Sequence, residues 1–156
     1  MVNIIMNGCN GKMGQVITGI VKEDANATIV AGIDVHDGIK NDYPVFASLN
    51  ECTVKADVII DFSNAKCIDA LLDYCVDTNT PVVLCTTGLS EEQLAKVDEC
   101  SKKVAILRSA NMSLGINLLM KLLKDASKVL AEAGFDIEIV EKHHNQKLDA
   151  PSGTAL

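Results

Sequence analysis

Three glycines, at positions 8, 11 and 14, follow a short apolar run and open an amphipathic stretch, and this arrangement constrains the fold more than any other feature of the chain. The run Val2–Met6 is typical of a buried strand, and the apolar residues of 12–22 recur at helical spacing. A glycine-rich turn between a strand and a helix lets backbone N–H groups approach a phosphate closely. The pattern therefore predicts dinucleotide binding, although the spacing is GxxGxxG rather than GxGxxG, and a plain structural turn is the alternative.

Apolar runs and amphipathic stretches alternate along the chain, as they do in a parallel sheet with helices packed on its faces. Ser90 and Gln93 form a capping-box pattern that marks the start of one helix, and the segment 35–53 is predicted to be irregular. We therefore expect an α/β fold, a Rossmann-type doubly wound parallel sheet. Its strands are expected at 2–6, 28–33, 58–62, 82–85 and 104–107, and its helices at 12–22, 65–77, 90–102 and 113–133.

The pattern changes after the longest predicted helix, which Gly134 ends. Residues 135–140 alternate apolar with acidic side chains, and this predicts a strand with one polar face. We therefore expect a dinucleotide-binding domain over 1–112 and the beginning of a mixed α/β substrate-binding domain over 113–156. The strand at 135–140 has no obvious later partner, and only two residues follow a helix start at 151–154. We thus expect the second domain to be truncated, with exposed apolar faces that favour aggregation.

The chain is acidic, since 21 acidic and 14 basic side chains give it a formal net charge of −7 and Arg108 is its only arginine. Nucleic-acid-binding proteins normally show the opposite balance. No apolar run approaches the roughly 20 residues that a membrane span needs, and the N-terminus lacks the basic region of a signal peptide. We therefore expect a cytoplasmic protein without a nucleic-acid or membrane partner.

The cysteines form no CxxC pair and show no metal-type spacing, and several lie within apolar stretches. In such surroundings cysteine behaves as a small hydrophobic residue. We therefore expect reduced thiols and no metal site.

A carboxylate, Asp34, stands at the end of the second predicted strand. In a dinucleotide-binding fold, an acidic side chain about twenty residues beyond the glycines accepts hydrogen bonds from the adenosine ribose. Val35 follows it, and the first hundred residues contain no arginine that could bind a 2′-phosphate. Lys12, His36 or Lys40 could do so only weakly. We therefore expect NADH and/or NADPH as cofactor, with NADH used at least as well as NADPH.

Three polar turns, at 61–63, 85–88 and 109–112, follow predicted strands at what should be one edge of the sheet. Ligands of open α/β sheets bind outside the carboxyl ends of the strands. The turn Cys85-Thr86-Thr87-Gly88 is therefore a candidate nicotinamide contact, and a Thr/Gly turn that merely ends a strand is the alternative.

Two of the three histidines and two lysines fall between positions 142 and 147. Positive charge of this kind in an acidic chain suits a dianionic small substrate. His143 and Lys147 are four residues apart and are candidates for proton transfer, while Gly153 and Thr154 offer N–H groups and a hydroxyl to a carboxylate. A solvated charged loop is one alternative; a metal site is another, but it lacks a third ligand nearby.

Together these segments resemble the 4-hydroxy-tetrahydrodipicolinate reductase (dihydrodipicolinate reductase) family of bacterial lysine and diaminopimelate biosynthesis. The most specific part is His143-His144-x-x-Lys147-x-Asp-Ala-Pro-Ser-Gly-Thr-Ala, which is similar to the family signature nearly residue for residue. The resemblance implies that His143 is the acid/base residue and Lys147 a proton donor. It also implies that His144, Gly153 and Thr154 bind the substrate carboxylates.

The same resemblance implies hydride transfer from NAD(P)H to a cyclic unsaturated pyridine dicarboxylate, giving tetrahydrodipicolinate, and a homotetramer at full family length. Cys85 departs from the family's usual glycine, and Met112 from a common aromatic residue. The alternatives are a non-catalytic NAD(P)-binding module and a different Rossmann amino-acid dehydrogenase. The residues implied to line the cofactor are Gly8, Cys9, Asn10, Gly11, Lys12, Met13, Asp34, Cys85, Thr86, Thr87, Ser109, Ala110, Asn111 and Met112.

Overall fold

The computed structural model describes residues 1–36, 38–143, 145, 151–152 and 154–155, which belong to two compact units, Met1–Ser109 and Ala110–Leu156. The strands of the first unit are β1 (Val2–Asn7), β2 (Ala27–Ile33), β3 (Val45–Phe46), β4 (Val58–Asp61), β5 (Val82–Leu84) and β6 (Ile106–Arg108). Its α-helices are α1 (Lys12–Lys22), α2 (Ile68–Thr78) and α3 (Glu91–Ser101), with short 3₁₀ turns at Leu49–Glu51 and Ala65–Cys67, and the second unit contains α4 (Leu114–Glu132).

The six strands form one sheet in the order β3-β2-β1-β4-β5-β6, and all neighbouring pairs are parallel. The chain leaves β1 toward β2 and β3 on one side and later adds β4, β5 and β6 on the other. The order therefore reverses between β1 and β4, which is where open α/β sheets form a ligand crevice beyond the carboxyl ends of their strands. The predicted α/β Rossmann-type parallel sheet is confirmed.

The core of the first unit lies around its central strands. Ile5 on β1, Ile59 on β4 and Leu84 on β5 are fully buried, and they belong to one cluster with Leu71 and Leu72 of α2. Central parallel strands are covered on both faces, so they consist of continuous apolar runs. These runs are why the sequence predicts this part of the sheet well.

One segment that was expected to be irregular contains a strand. Within 35–53, the two residues Val45 and Phe46 pair with Gly32 and Ile33 of β2 as the edge strand β3. A strand of two residues is too short to show an alternating pattern, and only its partner strand reveals it.

The strand predicted at 135–140 is absent: these residues have no regular secondary structure and are exposed. A strand needs a partner for its backbone N–H and C=O groups, and no described residue pairs with this segment. Gly134 does end α4 as predicted, with a φ of +86°. The N–H groups of Gly134 and Phe135 donate to Ala131 and Leu130, as in a Schellman cap.

None of the residues of α4 is buried, and its apolar stripe is exposed. Leu118, Leu119, Leu122 and Leu123 are each about half exposed. Within the described part of the chain, no helix combines the length and the apolar character that crossing a membrane requires.

Candidate functional site

The glycine turn lies between β1 and α1, next to the point where the strand order reverses. Gly8 has a φ of +80°, and a Cβ on it would lie 2.6 Å from the carbonyl oxygen of Phe62, directly after β4. A Cβ on Gly14 would meet the carbonyl oxygen of Gly8. Gly11 caps α1 without a side-chain hydrogen bond. The turn therefore brings unobstructed backbone and a helix N-terminus to the crevice, as a pyrophosphate requires.

Asp34 follows β2 and is held beside this turn. Its Oδ2 accepts a hydrogen bond from the backbone N–H of Asn10 at 2.9 Å, and its Oδ1 accepts one from the N–H of His36 at 2.9 Å. Each carboxylate oxygen has a second lone pair. The carboxylate is thus fixed at the turn and retains acceptor capacity for ribose hydroxyls.

The other residues of the turn offer different groups. Cys9 is fully buried, and a Cβ on Gly32 would lie 2.6 Å from its Sγ, so its thiol packs beneath the turn. Burial, together with the nearby charge of Asp34, raises the pKa of Cys9 to about 11. Lys12 and Met13 are exposed in the first turn of α1.

A buried hydrogen-bond network joins the ends of three strands, and the sequence reasoning missed it. Asp61, at the end of β4, is fully buried; its Oδ1 accepts from Asn7 Nδ2 at 2.7 Å and from Ser63 Oγ at 2.6 Å. Its Oδ2 accepts from Thr86 Oγ1 at 2.7 Å. The sequence predicted that the turns at 61–63 and 85–88 share one edge of the sheet, but no signal indicated that Asp61 is buried or that it accepts hydrogen bonds from Asn7 and Thr86.

The turn after β5 is fixed from beneath by this network. The N–H of Cys85 donates to the carbonyl oxygen of Asp61 at 3.0 Å, and Thr86 is buried, whereas Thr87 is exposed. Burial, with the charge of Asp61 as a further cause, raises the pKa of the Cys85 thiol to about 11. This thiol therefore stays protonated at neutral pH. Ser109, after β6, donates its N–H to the carbonyl oxygen of Leu84 at 3.0 Å.

In the second unit, Asn111 holds the start of α4. Its Oδ1 accepts from the N–H of Ser113 at 2.7 Å, and its carbonyl oxygen accepts from Asn117 Nδ2 at 3.0 Å. Its Nδ2 donates to Thr154 Oγ1 at 3.0 Å. The structure therefore joins a predicted cofactor residue to a predicted substrate residue, while Ala110 and Met112 are exposed.

His143 lies beside a carboxylate that the sequence reasoning did not single out. Its Nδ1 is 3.6 Å from Glu141 Oε2, and Glu141 Oε1 accepts from the N–H of Ser152 at 2.9 Å. Three further predicted substrate-site or catalytic residues, His144, Lys147 and Gly153, lie outside the described residues. In the described part of the chain, no three His, Cys, Asp or Glu side chains are grouped so that they could hold a metal ion.

Comparison with protein families gives two matches that together cover nearly the whole chain. Residues 2–112 match the family model for the dihydrodipicolinate reductase N-terminus, and residues 115–156 match the model for its C-terminus. The 4-hydroxy-tetrahydrodipicolinate reductase of Clostridium novyi is 55% identical over 156 residues, which are 100% of this chain and 62% of that protein. The reductase of the same name from Caldanaerobacter subterraneus is 54% identical, over 100% of this chain and 61% of that protein.

Solved structures give the same result at the level of the fold. The dipicolinate-bound dihydrodipicolinate reductase of Paenisporosarcina sp. TG-14 superposes with a TM-score of 0.77 at 33% identity, over 99% of this chain and 63% of that one. A myo-inositol 2-dehydrogenase from Lactobacillus plantarum has a TM-score of 0.63 at 11% identity, over 81% of this chain and 42% of that one, and it shares the fold alone. The chain spans about three fifths of the length of the curated relatives it matches. On the two family matches and these identities, the chain belongs to the dihydrodipicolinate reductase family.

Proposed function

We propose that this chain binds NAD(P)H at the carboxyl edge of its parallel sheet and takes part in the reduction of 4-hydroxy-tetrahydrodipicolinate (dihydrodipicolinate) to tetrahydrodipicolinate. In this proposal, residues 1–112 bind the dinucleotide and residues 113–156 begin the substrate-binding domain of a cytoplasmic, homotetrameric enzyme. The observation that carries it is the glycine turn at the reversal of strand order with Asp34 fixed beside it. The names of the relatives supply the substrate.

The described residues fit a dinucleotide. Gly8 and Gly14 sit where a Cβ would collide with backbone, so the turn can lie directly against a pyrophosphate, and α1 directs its N-terminus there. Asp34 would accept hydrogen bonds from the adenosine ribose, and its negative charge disfavours a 2′-phosphate, so NADH is favoured. The 85–87 and 109–112 turns would contact the nicotinamide half. The cofactor, when bound, supplies the hydride.

The chemistry of this chain's own residues is the supply of a proton and the binding of carboxylates. Loss of water from the 4-hydroxy compound gives the conjugated C=C–C=N unit of dihydrodipicolinate. Addition of the hydride to this unit leaves an enamine carbon that must take up a proton to complete the product. We assign this proton to Lys147 or His143, and Glu141 is placed to orient the His143 ring. His144, Gly153 and Thr154 would bind the two substrate carboxylates and hold the ring in position.

Oxidation of NADH at 340 nm, with the substrate generated in situ, tests the proposal. His143→Ala and Lys147→Ala should each lower kcat about a hundredfold, as expected for loss of a general acid, and leave NADH affinity unchanged. Lys142→Ala is the matched control, because it removes the same charge from the same segment, and it should turn over normally.

Normal turnover by both the His143 and the Lys147 variants would refute the assignment of the proton donor. NADH binding by a chain that never turns over would support the alternative of a non-catalytic cofactor-binding module. Turnover of an amino acid instead of the dicarboxylate, at a rate that does not depend on His143 or Lys147, would indicate a different dehydrogenase.

A further inference from the structure

Two asparagine side chains connect the glycine turn to the loop that follows β2. Asn41 Nδ2 donates to Asn10 Oδ1 at 2.8 Å, and Asn10 Nδ2 donates to the carbonyl oxygen of His36. Asn41 Oδ1 accepts from Gln15 Nε2 at 3.3 Å, and the same Gln15 nitrogen donates to the carbonyl oxygen of Cys9 at 2.9 Å. The turn, the first helix and the loop are thereby joined through amide groups. We call Asn10 and Asn41 the amide pair.

The amide pair can form in only one orientation. The amide oxygen of Asn10 faces a donor on Asn41 and its nitrogen faces a carbonyl on His36, so reversing the Asn10 amide would place like groups against each other on both sides. Asn41 is fixed in the same way, with a donor toward Asn10 and an acceptor toward Gln15. Hydrogen bonds of this kind specify a geometry, because exchanging their partners would place donor against donor and acceptor against acceptor.

The amide pair is connected to Asp34 through the backbone of Asn10 and His36. The backbone N–H of Asn10 donates to Asp34 Oδ2, so the residue that holds the loop also holds the carboxylate. The other carboxylate oxygen is bound by the N–H of His36, whose carbonyl oxygen accepts from the Asn10 side chain. Asp34 can therefore not turn away from the turn unless these contacts break.

From this geometry we infer that Asn41, through Asn10, is a positioning residue that makes the chain discriminate against a 2′-phosphate on the cofactor. The inference rests on the proposed dinucleotide binding and adds a residue outside the direct contacts. With the amide pair intact, the negative charge of Asp34 stays where a 2′-phosphate would have to lie, so NADPH is disfavoured. Without it, Asp34 and the loop can move aside and admit the phosphate.

The test is the ratio of the dissociation constants for NADPH and NADH, measured by calorimetric titration of the 156-residue chain. The ratio should exceed 1 for the unmodified chain and fall about fivefold in Asn41→Ala, which is the effect expected from the loss of its hydrogen bond to Asn10. Asn41→Leu, a neutral side chain of similar size, should do the same if the alanine variant folds poorly. Asn50→Ala, at an exposed asparagine of the same unit, should leave the ratio unchanged.

The ratio of dissociation constants separates positioning from a general structural role, because loosening the fold weakens the binding of both cofactors equally. An unchanged ratio in both Asn41 variants, or a ratio of 1 in the unmodified chain, would overturn the inference while NADH binding upheld the proposed function. Failure of the unmodified chain to bind NADH at all would overturn both.

Discussion

At the scale of single residues, the sheet edge depends on a buried carboxylate. Removing a charge from water costs several kcal/mol unless its oxygens are hydrogen-bonded. Asp61 meets this condition through donors from Asn7, Ser63 and Thr86, which lie at the ends of β1, β4 and β5. A single side chain thus fixes three strand ends and the turn that we propose for the nicotinamide.

Asp61→Ala should destabilise the chain by about 3 kcal/mol, because it leaves the Asn7 amide and the Thr86 hydroxyl buried without an acceptor. Asp61→Asn should cost less, since the Thr86 hydroxyl can rotate to accept from the new amide. Urea unfolding followed by circular dichroism measures both. Asp98→Ala, at an exposed position on α3, is the control and should change stability by less than about 0.5 kcal/mol. A loss in Asp61→Ala no larger than that of the control would show that the network is not stabilising.

The residues that sequence reasoning predicted and those that it missed differ in how far their partners lie along the chain. The glycines and Asp34 were predicted because their meaning lies in a local strand–turn–helix pattern. The partners of Asp61 are 54 and 25 residues away in the sequence, at Asn7 and Thr86. Only the parallel pairing of β1, β4 and β5 brings them together, and no local pattern shows it.

At the scale of elements, the site depends on how tightly α1 and its turn pack on the sheet. Gly8 has a left-handed backbone conformation and lies against the carbonyl group after β4, and both features exclude a side chain. Gly19 lies inside α1, and it has open space around it. The two glycines therefore separate the packing requirement of the turn from the ordinary cost of glycine in a helix.

Gly8→Ala should destabilise the chain by roughly 2 kcal/mol and weaken NADH binding, because the turn must shift away from Phe62. Gly19→Ala should instead stabilise the chain by up to about 1 kcal/mol, the gain expected from replacing glycine inside a helix, and leave NADH affinity unchanged. Thermal unfolding and NADH titration of the two variants provide the comparison. Equal effects of the two substitutions would contradict a close approach at Gly8.

Elements were predicted well where their pattern is long and local. The helix at 113–133 has a cap at each end, Ser113 and Gly134, and it was found as α4 with nearly these limits. The predictions for 35–53, which contains β3, and for 135–140 were wrong for one reason. Whether a short stretch becomes a strand depends on a neighbouring strand. Val45–Phe46 has that neighbour in β2, and 135–140 has none among the described residues.

At the scale of the whole molecule, the described chain consists of two units of different character. The first has a continuous core within a six-stranded parallel sheet, whereas the helix of the second exposes its apolar stripe. Both units match the dihydrodipicolinate reductase family. The central claim is that the first unit binds a nicotinamide dinucleotide at one edge of its sheet. It can therefore be tested on the NMR signals of the backbone amides in that unit.

The most direct measurement is an NMR titration of the ¹⁵N-labelled chain with NADH, in which the chemical shifts of the backbone amides are monitored. The largest shifts should fall at the carboxyl edge, on residues 8–13, on Asp34 and on 85–88. Amides at the opposite edge, such as those of Ala27 and Val58 at the starts of β2 and β4, should move little. Shifts centred on that opposite edge would contradict the claim. So would the absence of saturable shifts at millimolar NADH, because a dissociation constant above this range corresponds to very weak binding.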